Sequence, residues 1–149
     1  MLIQQLNRSD AEKVFISVRD VSASSITRGY GACLAIGGNS FDGNAAVLSD
    51  SDGNAADLPG FIGVADADIA VNAYGLVQTW GFATSVFLSA VGSSITINQG
   101  NPLVPGRAPG GLFSLAPTYA ASGLKFVLVS NTPPAISAAA YASGLVRCI

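Results

Sequence analysis

The chain has 149 residues, enough for one domain with its own core. Half of the residues are hydrophobic and only 11% are charged, compared with about 25% in a typical soluble domain. The 7 Lys and Arg residues are scattered and the net charge is -2, which argues against direct nucleic-acid binding. The chain contains no histidine, so the commonest general base and metal ligand is missing, and we do not expect an enzyme.

High apolar content with little charge is typical of three kinds of protein: those that insert into membranes, those with a buried assembly surface, and those that aggregate. A spanning helix needs about 20 consecutive apolar residues. The apolar runs here, such as Val86–Leu88 and Phe126–Val129, are far shorter. Met1–Lys13 has no long apolar run after a basic start, so we do not expect a signal peptide. The composition therefore favours an assembly surface that neighbouring molecules cover.

Apolar residues recur at strand spacing along most of the chain, between turns rich in Gly, Pro, Asn and Asp. The predicted strands are Lys13–Val21, Tyr30–Ile36, Ala45–Leu48, Phe61–Ala65, Ala73–Ala83, Ser85–Val91, Ser94–Ile97, Leu124–Ser130 and Gly144–Ile149, with a short extended piece at Pro102–Val104. Ala135–Ser143 is interpreted as a helical turn or a small-residue loop. The prediction is an all-β fold: a compact barrel or sandwich of short antiparallel strands with long loops, an N-terminal arm (1–12) and one β domain (13–149).

Ala73–Ala83 is predicted to be the longest strand, with unequal faces. Alternation places the large residues Tyr74, Leu76, Gln78, Trp80 and Phe82 on one face and small residues on the other, where a second backbone can approach closely. Large aromatic residues on such a strand favour core or subunit packing, with a sugar-stacking platform as the alternative. The packing candidates are Tyr74, Leu76, Trp80, Phe82, Leu145 and Ile149.

The best candidate for a cation site is a loop with alternating oxygen ligands: Asp50, Asp52, Asn54 and Asp57. In a calcium loop of the EF-hand type, glycine stands at the sixth position and a bidentate glutamate at the twelfth. Here Gly53 stands at the fourth position and Phe61 at the twelfth. The pattern therefore favours a polar turn, and we expect neither a metal nor another cofactor.

Other patterns also favour structural roles. Asp66 and Asp68 lie two residues apart, but no aspartic-protease motif surrounds them, so turn or capping roles are favoured. The glycine-rich Pro105–Gly111 segment lacks the phosphate-loop pattern. Cys33 and Cys148 are expected to be buried thiols rather than a disulfide, although the sequence leaves pairing open.

Five segments, taken in order, resemble the small β-rich decoration or cement proteins on the heads of tailed bacteriophages. They are Asp10-Ala-Glu-Lys-Val-Phe-Ile-Ser-Val18, Gly60-Phe-Ile-Gly-Val-Ala-Asp-Ala-Asp-Ile-Ala70, Asn72-Ala-Tyr-Gly-Leu-Val-Gln-Thr-Trp-Gly-Phe82, Ile97-Asn-Gln-Gly-Asn-Pro-Leu-Val-Pro105 and Gly144-Leu-Val-Arg-Cys-Ile149. The order of these segments extends over residues 10–149. None of them contains a catalytic signature.

This resemblance implies a protein of the virion, made in the host cytoplasm, that binds the outside of the capsid and stabilises it. The implied partners are the major capsid protein and further copies of the chain, typically as a homotrimer, with neither nucleic acid nor membrane. Because the N-terminal arm and the loop around Gly38–Gly60 are polar and long, they are candidates for contact with the shell. The shell-contact candidates are Arg8, Asp10, Phe41 and Arg107.

Three alternatives remain at this point. The first is another virion component, such as a shell, connector or tail protein. The second is a carbohydrate- or receptor-binding β module. The third is a hydrolase that works with carboxylates alone, which the missing histidine disfavours.

Overall fold

A computed structural model describes residues 12–35, 43–48, 60–88, 98–100, 102–105, 113–115, 126–130 and 140–148. These residues form nine β-strands and no helix. The strands are β1 (Val14–Asp20), β2 (Gly31–Leu34), β3 (Ala45–Leu48), β4 (Phe61–Ala65), β5 (Tyr74–Leu88), β6 (Pro102–Pro105), β7 (Phe113–Leu115), β8 (Phe126–Val129) and β9 (Ala140–Arg147). The predicted all-β class is confirmed.

The strands form two closed circuits that share β5. Hydrogen-bonded neighbours run in the order β1-β3-β2-β4-β5-β7-β6-β8-β9, and further pairings join β5 to β1 and to β9. The first half of β5 therefore completes one five-strand circuit with β1 to β4, and the second half completes another with β6 to β9. The β1–β3 and β5–β7 pairs are parallel and the other named pairs are antiparallel, whereas the sequence predicted only antiparallel strands.

Each circuit has its own apolar cluster. The first cluster consists of Val18, Ile26, Ala32, Ala46, Ile62, Ala65, Ile69 and Val77. The second consists of Cys33, Phe61, Val64, Ala83, Val86, Leu88, Leu103, Val127, Val129, Ala142, Val146 and Cys148. β2 and β4 contribute side chains to both clusters: Cys33, Phe61 and Val64 belong to the second, and Ala32, Ile62 and Ala65 to the first. The alternation along β4 is interrupted at Ile62, an extra residue between the pairs Ala32–Gly63 and Cys33–Phe61. Because its side chains reach both clusters, β4 is buried along its whole length.

Glycine permits two close backbone approaches at β5. A Cβ on Gly63, in β4, would lie 2.0 Å from the carbonyl oxygen of Gln78, and Gly63 has a φ of 147°. A Cβ on Gly81 would lie 2.2 Å from the carbonyl oxygen of Glu12. The predicted approach of a second backbone to the small-residue positions of this strand is confirmed at Gly81. At Gly75 the neighbour is instead the side chain of Ile69.

Bulges in β5 explain where the prediction of this strand was wrong. One residue, Thr79, is inserted between the pairs Phe15–Gln78 and Val14–Trp80. Such an insertion reverses the faces of the strand beyond it, so Trp80 and Phe82 do not share the face of Tyr74 and Leu76. The bulge is held from both sides, because the Thr79 hydroxyl donates to the carbonyl of Val14 (3.2 Å) and the Thr79 carbonyl accepts from the amide of Cys148 (2.9 Å).

Three other boundaries differ from the prediction. The predicted strands Ala73–Ala83 and Ser85–Val91 are joined in the 15-residue β5, which continues through a second irregularity between Ala83 and Val86. β9 begins at Ala140, within a segment that was interpreted as a helical turn or a loop. β7 was not predicted, because its three residues carry no pattern of their own. The short β6 pairs on both sides although proline occupies both of its ends.

Candidate interaction surface

The outer face of the second circuit is formed by β5 and β9. Phe82 is paired with Leu145, and Trp80 is paired with Arg147. Phe82 and Leu145 are each 37% exposed, and Trp80 is half-buried. β5 contains no charged residue and β9 contains only Arg147. Two long paired strands therefore present large apolar side chains with a single charge between them.

Three aromatic rings form a ladder at the far end of the same face. Phe87 of β5 stacks on Tyr30 with ring centroids 4.6 Å apart and planes 11° from parallel. On its other side Phe87 contacts Tyr141 of β9 at 4.8 Å with planes tilted by 41°. Stacked and tilted arrangements of this kind add to the stabilisation from burial alone. Tyr141 still exposes 55% of its surface.

Tyr30 is the described group whose titration is clearly altered. Burial in the ladder, with a smaller contribution from the neighbouring Tyr141, raises the pKa of the Tyr30 phenol above its ordinary value of 10.0. Desolvation disfavours the charged phenolate, and a second phenolate nearby would add repulsion. Tyr30 is therefore neutral at physiological pH.

A second exposed apolar region lies on β5 before the Thr79 bulge. Tyr74 is 66% exposed and Leu76 is 50% exposed. They are paired with Arg19 and Ser17 of β1, respectively. The adjacent turn is pinned by the Arg19 guanidinium, which donates to Asn72 Oδ1 (3.3 Å), and Asn72 adopts a φ of 64°. Asparagine tolerates this left-handed conformation better than most residues.

The structure excludes the core alternative for four of the predicted packing residues. Tyr74, Leu76, Phe82 and Leu145 are all exposed, and Trp80 is only half-buried. Their predicted role in subunit packing stays a prediction. Ile149 lies outside the described residues.

A shallow depression with mostly polar walls lies beside the aromatic ladder. Arg28, Asp66, Gln78, Thr84 and Ser85 are among the residues that line it. Arg28, Asp66 and Thr84 are exposed, whereas only 2% of Gln78 is. The Gln78 amide is fixed at the bottom, because its Nε2 donates to the carbonyl of Trp80 at 3.1 Å.

A tight turn brings Arg28 to this depression. The amide of Tyr30 donates to the carbonyl of Thr27 at 3.0 Å, and Gly29 has a φ of 84°, as the third residue of a type II turn requires. Asp68 Oδ1 accepts a hydrogen bond from the amide of Arg28 at 2.7 Å. Asp68 therefore supports a turn, the role that the sequence favoured for it.

Asp20 is an unusual feature of the first circuit. The residue is fully buried, and its Oδ1 accepts hydrogen bonds from the amide (2.8 Å) and the hydroxyl of Ser22. Its Oδ2 is also buried and has no hydrogen-bond partner within the described part of the chain. Ser22 follows the end of β1, so the carboxylate acts there as an acceptor for a turn.

Several predicted site residues lie outside the described ranges. They are the cation-loop candidates Asp50, Asp52, Asn54 and Asp57 and the shell-contact candidates Arg8, Asp10, Phe41 and Arg107. Among the residues that are described, no group of three or more Cys, Asp or Glu side chains is arranged to hold a metal ion. Cys33 and Cys148 are both buried thiols of the second cluster, and no disulfide joins them, as expected.

The sequence pattern does not predict the aromatic ladder or the polar depression. Tyr30, Phe87 and Tyr141 are widely separated along the chain. The pairing of β5 with β9 brings Phe87 to Tyr141, and the hydrogen bond from the Phe87 amide to the Gly29 carbonyl holds the turn beside Tyr30 against β5. A pattern confined to one strand does not reveal such a pairing.

No protein-family model matches the chain, and no curated protein matches it. Within the described ranges there is no helix long and apolar enough to cross a membrane.

Proposed function

We propose that the chain is a non-enzymatic structural protein of a virion, which binds the outside of a phage capsid as a decoration protein and associates with copies of itself, as a homotrimer. The order of the five segments that resemble such proteins supports this proposal. The low proportion of charged residues supports it as well, because a surface covered by neighbouring molecules does not need charge.

The observation that carries the proposal is the outer face of β5 and β9, on which Arg147 is the one charged residue of the two strands. Phe82 and Leu145 meet there, and each keeps 37% of its surface exposed. Contiguous apolar surface on a soluble protein typically marks an interaction site. The paired strands also provide a stiff support, because β5 is hydrogen-bonded into both circuits. A face of this kind suits contact between preformed subunits.

A decoration protein contacts a shell that presents the same surface many times. If copies of the chain are joined to one another, each copy contributes a modest interface, and the joined copies bind together with much higher avidity. Self-association and shell binding are therefore linked parts of one proposal. Catalysis plays no part in it, in keeping with the absence of histidine from the sequence.

The test is co-sedimentation of the purified chain with mature heads of the virus that encodes it. The chain is expected to pellet with heads and to saturate at a fixed number of copies per head. A control with purified tails separates decoration from a role in the tail or connector. The proposal would be contradicted if the chain stayed in the supernatant while the heads pelleted, or if it bound to tails alone.

A further inference from the structure

We infer that copies of the chain associate through a heterologous contact, in which two different surfaces meet. One surface is the outer face of β5 and β9, with Phe82 and Leu145. The other, on the next copy, is the Leu76 patch, which consists of Tyr74, Leu76 and Asp66. This inference rests on the proposed self-association and deepens it, since it names the surface that receives the Phe82–Leu145 pair. A heterologous contact repeats from copy to copy, and closure after three copies yields a homotrimer.

The Leu76 patch is as apolar and as accessible as the face that it is inferred to meet. Tyr74 and Leu76 are each at least half exposed, more than Phe82 or Leu145. The Thr79 bulge turns the two halves of β5 so that their exposed side chains point to opposite sides of the strand. A contact of the outer face of β5 and β9 with a copy of itself would therefore leave Tyr74 and Leu76 in water. A heterologous contact covers both exposed apolar surfaces at once.

The charges beside the two leucines are complementary. Arg147 is exposed two residues from Leu145 on the same side of β9, and neither β5 nor β9 contains an acidic residue. Asp66 is exposed as well, and its amide donates to the Leu76 carbonyl at 3.1 Å, which holds it beside Leu76. The outer face of β5 and β9 would offer no carboxylate of these strands to the Arg147 of a second copy. The Leu76 patch offers Asp66.

A second arginine fixes the orientation of the contact. Arg19 lies on the β1 side of β5, where it is paired with Tyr74 and donates to Asn72 Oδ1. Asp66 lies on the opposite side, where β4 is paired with β5. Like charges repel, so Arg147 of the neighbouring copy is expected on the β4 side, next to Asp66 and away from Arg19.

Surface-specific variants of the full-length chain test the inference in sedimentation velocity over a concentration series. Leu145→Ser disables one surface and Leu76→Ser disables the other, so each alone should weaken association by about tenfold or more. An equimolar mixture of the two variants should form 1:1 pairs and nothing larger, because one intact face meets one intact patch. The control is Val71→Ser, in the turn before β5, which should associate like the wild type. Circular dichroism shows whether each variant is folded.

Charge reversal gives an independent test of the same contact. Arg147→Glu and Asp66→Arg should each weaken association, and the double variant should recover most of it, because the opposite charges are restored. Arg28→Glu is the matched control, since Arg28 is also an exposed arginine. Combining it with Asp66→Arg should recover nothing.

Two results would overturn the inference: association of Leu76→Ser equal to that of the wild type, or a charge-reversed double variant that associates no better than either single variant. Pelleting with heads separates this inference from the proposed function. If the wild type pellets with heads and Leu76→Ser associates normally, only the heterologous contact falls. If the mixed variants form 1:1 pairs but the wild type does not pellet with heads, the contact stands and the capsid role falls.

Discussion

Phe82 of β5 and Leu145 of β9 face each other on the outer surface of the second strand circuit, and each leaves 37% of its surface exposed. The two strands together carry a single charged residue, Arg147. The chain thus exposes a contiguous apolar pair on a face with one charge, and contiguous apolar surface typically marks an interaction site. We expect this pair to lie in the contact between copies of the chain.

Leu145→Ser should weaken self-association by about tenfold or more, because apolar groups at the centre of an interface contribute most of its free energy. Its effect on the free energy of unfolding should be about 1 kcal/mol, because Leu145 is partly exposed already. Sedimentation velocity over a concentration series measures the association. The control is Val71→Ser, which changes another exposed apolar residue, 42% accessible, outside this face. Equal association of wild type and Leu145→Ser would contradict the assignment.

Gly63→Ala should destabilise the fold by about 3 kcal/mol or more. The added methyl group would lie 2.0 Å from the carbonyl oxygen of Gln78, and the φ of 147° disfavours any side chain. Gly43→Ala is the matched control, because Gly43 also has a positive φ (72°) but nothing lies within 4 Å of the added Cβ. Its cost should be about 1 kcal/mol. Urea unfolding monitored by circular dichroism measures the loss of stability in each variant. Similar losses in Gly63→Ala and Gly43→Ala would count against a close approach of Gly63 to the Gln78 carbonyl.

The stability of the fold should decrease at alkaline pH through Tyr30. Its pKa is raised in the folded state by burial and, to a lesser extent, by Tyr141. The unfolded chain releases this proton near pH 10.0 while the folded chain still holds it. The contribution of Tyr30 to the free energy of unfolding is therefore fully present below about pH 10 and is lost as the pH rises through the folded-state pKa of Tyr30. Tyr30→Phe should flatten this decrease in urea midpoints measured between about pH 8 and 11. An unchanged slope in Tyr30→Phe would exclude Tyr30 as its source.

Both cysteines should resist a thiol reagent until the chain unfolds. Cys33 and Cys148 are 3% and 5% exposed, respectively, and belong to the cluster of the second circuit. A thiol reagent such as Ellman's should therefore react slowly with the native chain and titrate both thiols in denaturant without a reductant. Fast native reaction would show that this cluster opens, and fewer than two thiols in denaturant would indicate a disulfide.

The sequence predicted the strand class because alternation and turn residues are local signals. Ala45–Leu48 and Phe61–Ala65 were predicted with the bounds that the structure has. The faces of β5 were predicted wrongly after Gln78, because the Thr79 bulge is set by pairing with β1, about 65 residues away in the chain. The closure of two circuits on one strand depends on the same long-range pairings.

The candidate surface was predictable only in part. Tyr74, Leu76, Phe82 and Leu145 were selected from the sequence because they are large apolar residues at strand spacing, and the structure places all four at the surface. Tyr30 and Tyr141 were not selected, since their common neighbour Phe87 is known only from the tertiary structure. Arg28 and Asp66 also were not selected, since they lie far apart in the sequence. Only the tertiary structure shows that the turn with Arg28 and the residue after β4, Asp66, border one depression.

The most direct test of the assembly role is the saturation binding of the chain to mature heads, with Phe82→Ser and Val71→Ser measured in parallel. We expect the wild type and Val71→Ser to pellet with heads at the same fixed copy number. Phe82→Ser should remain largely in the supernatant, while its circular dichroism spectrum stays that of the folded chain. A wild-type chain that fails to pellet with heads, or a Phe82→Ser variant that saturates them like the wild type, would contradict the assembly role.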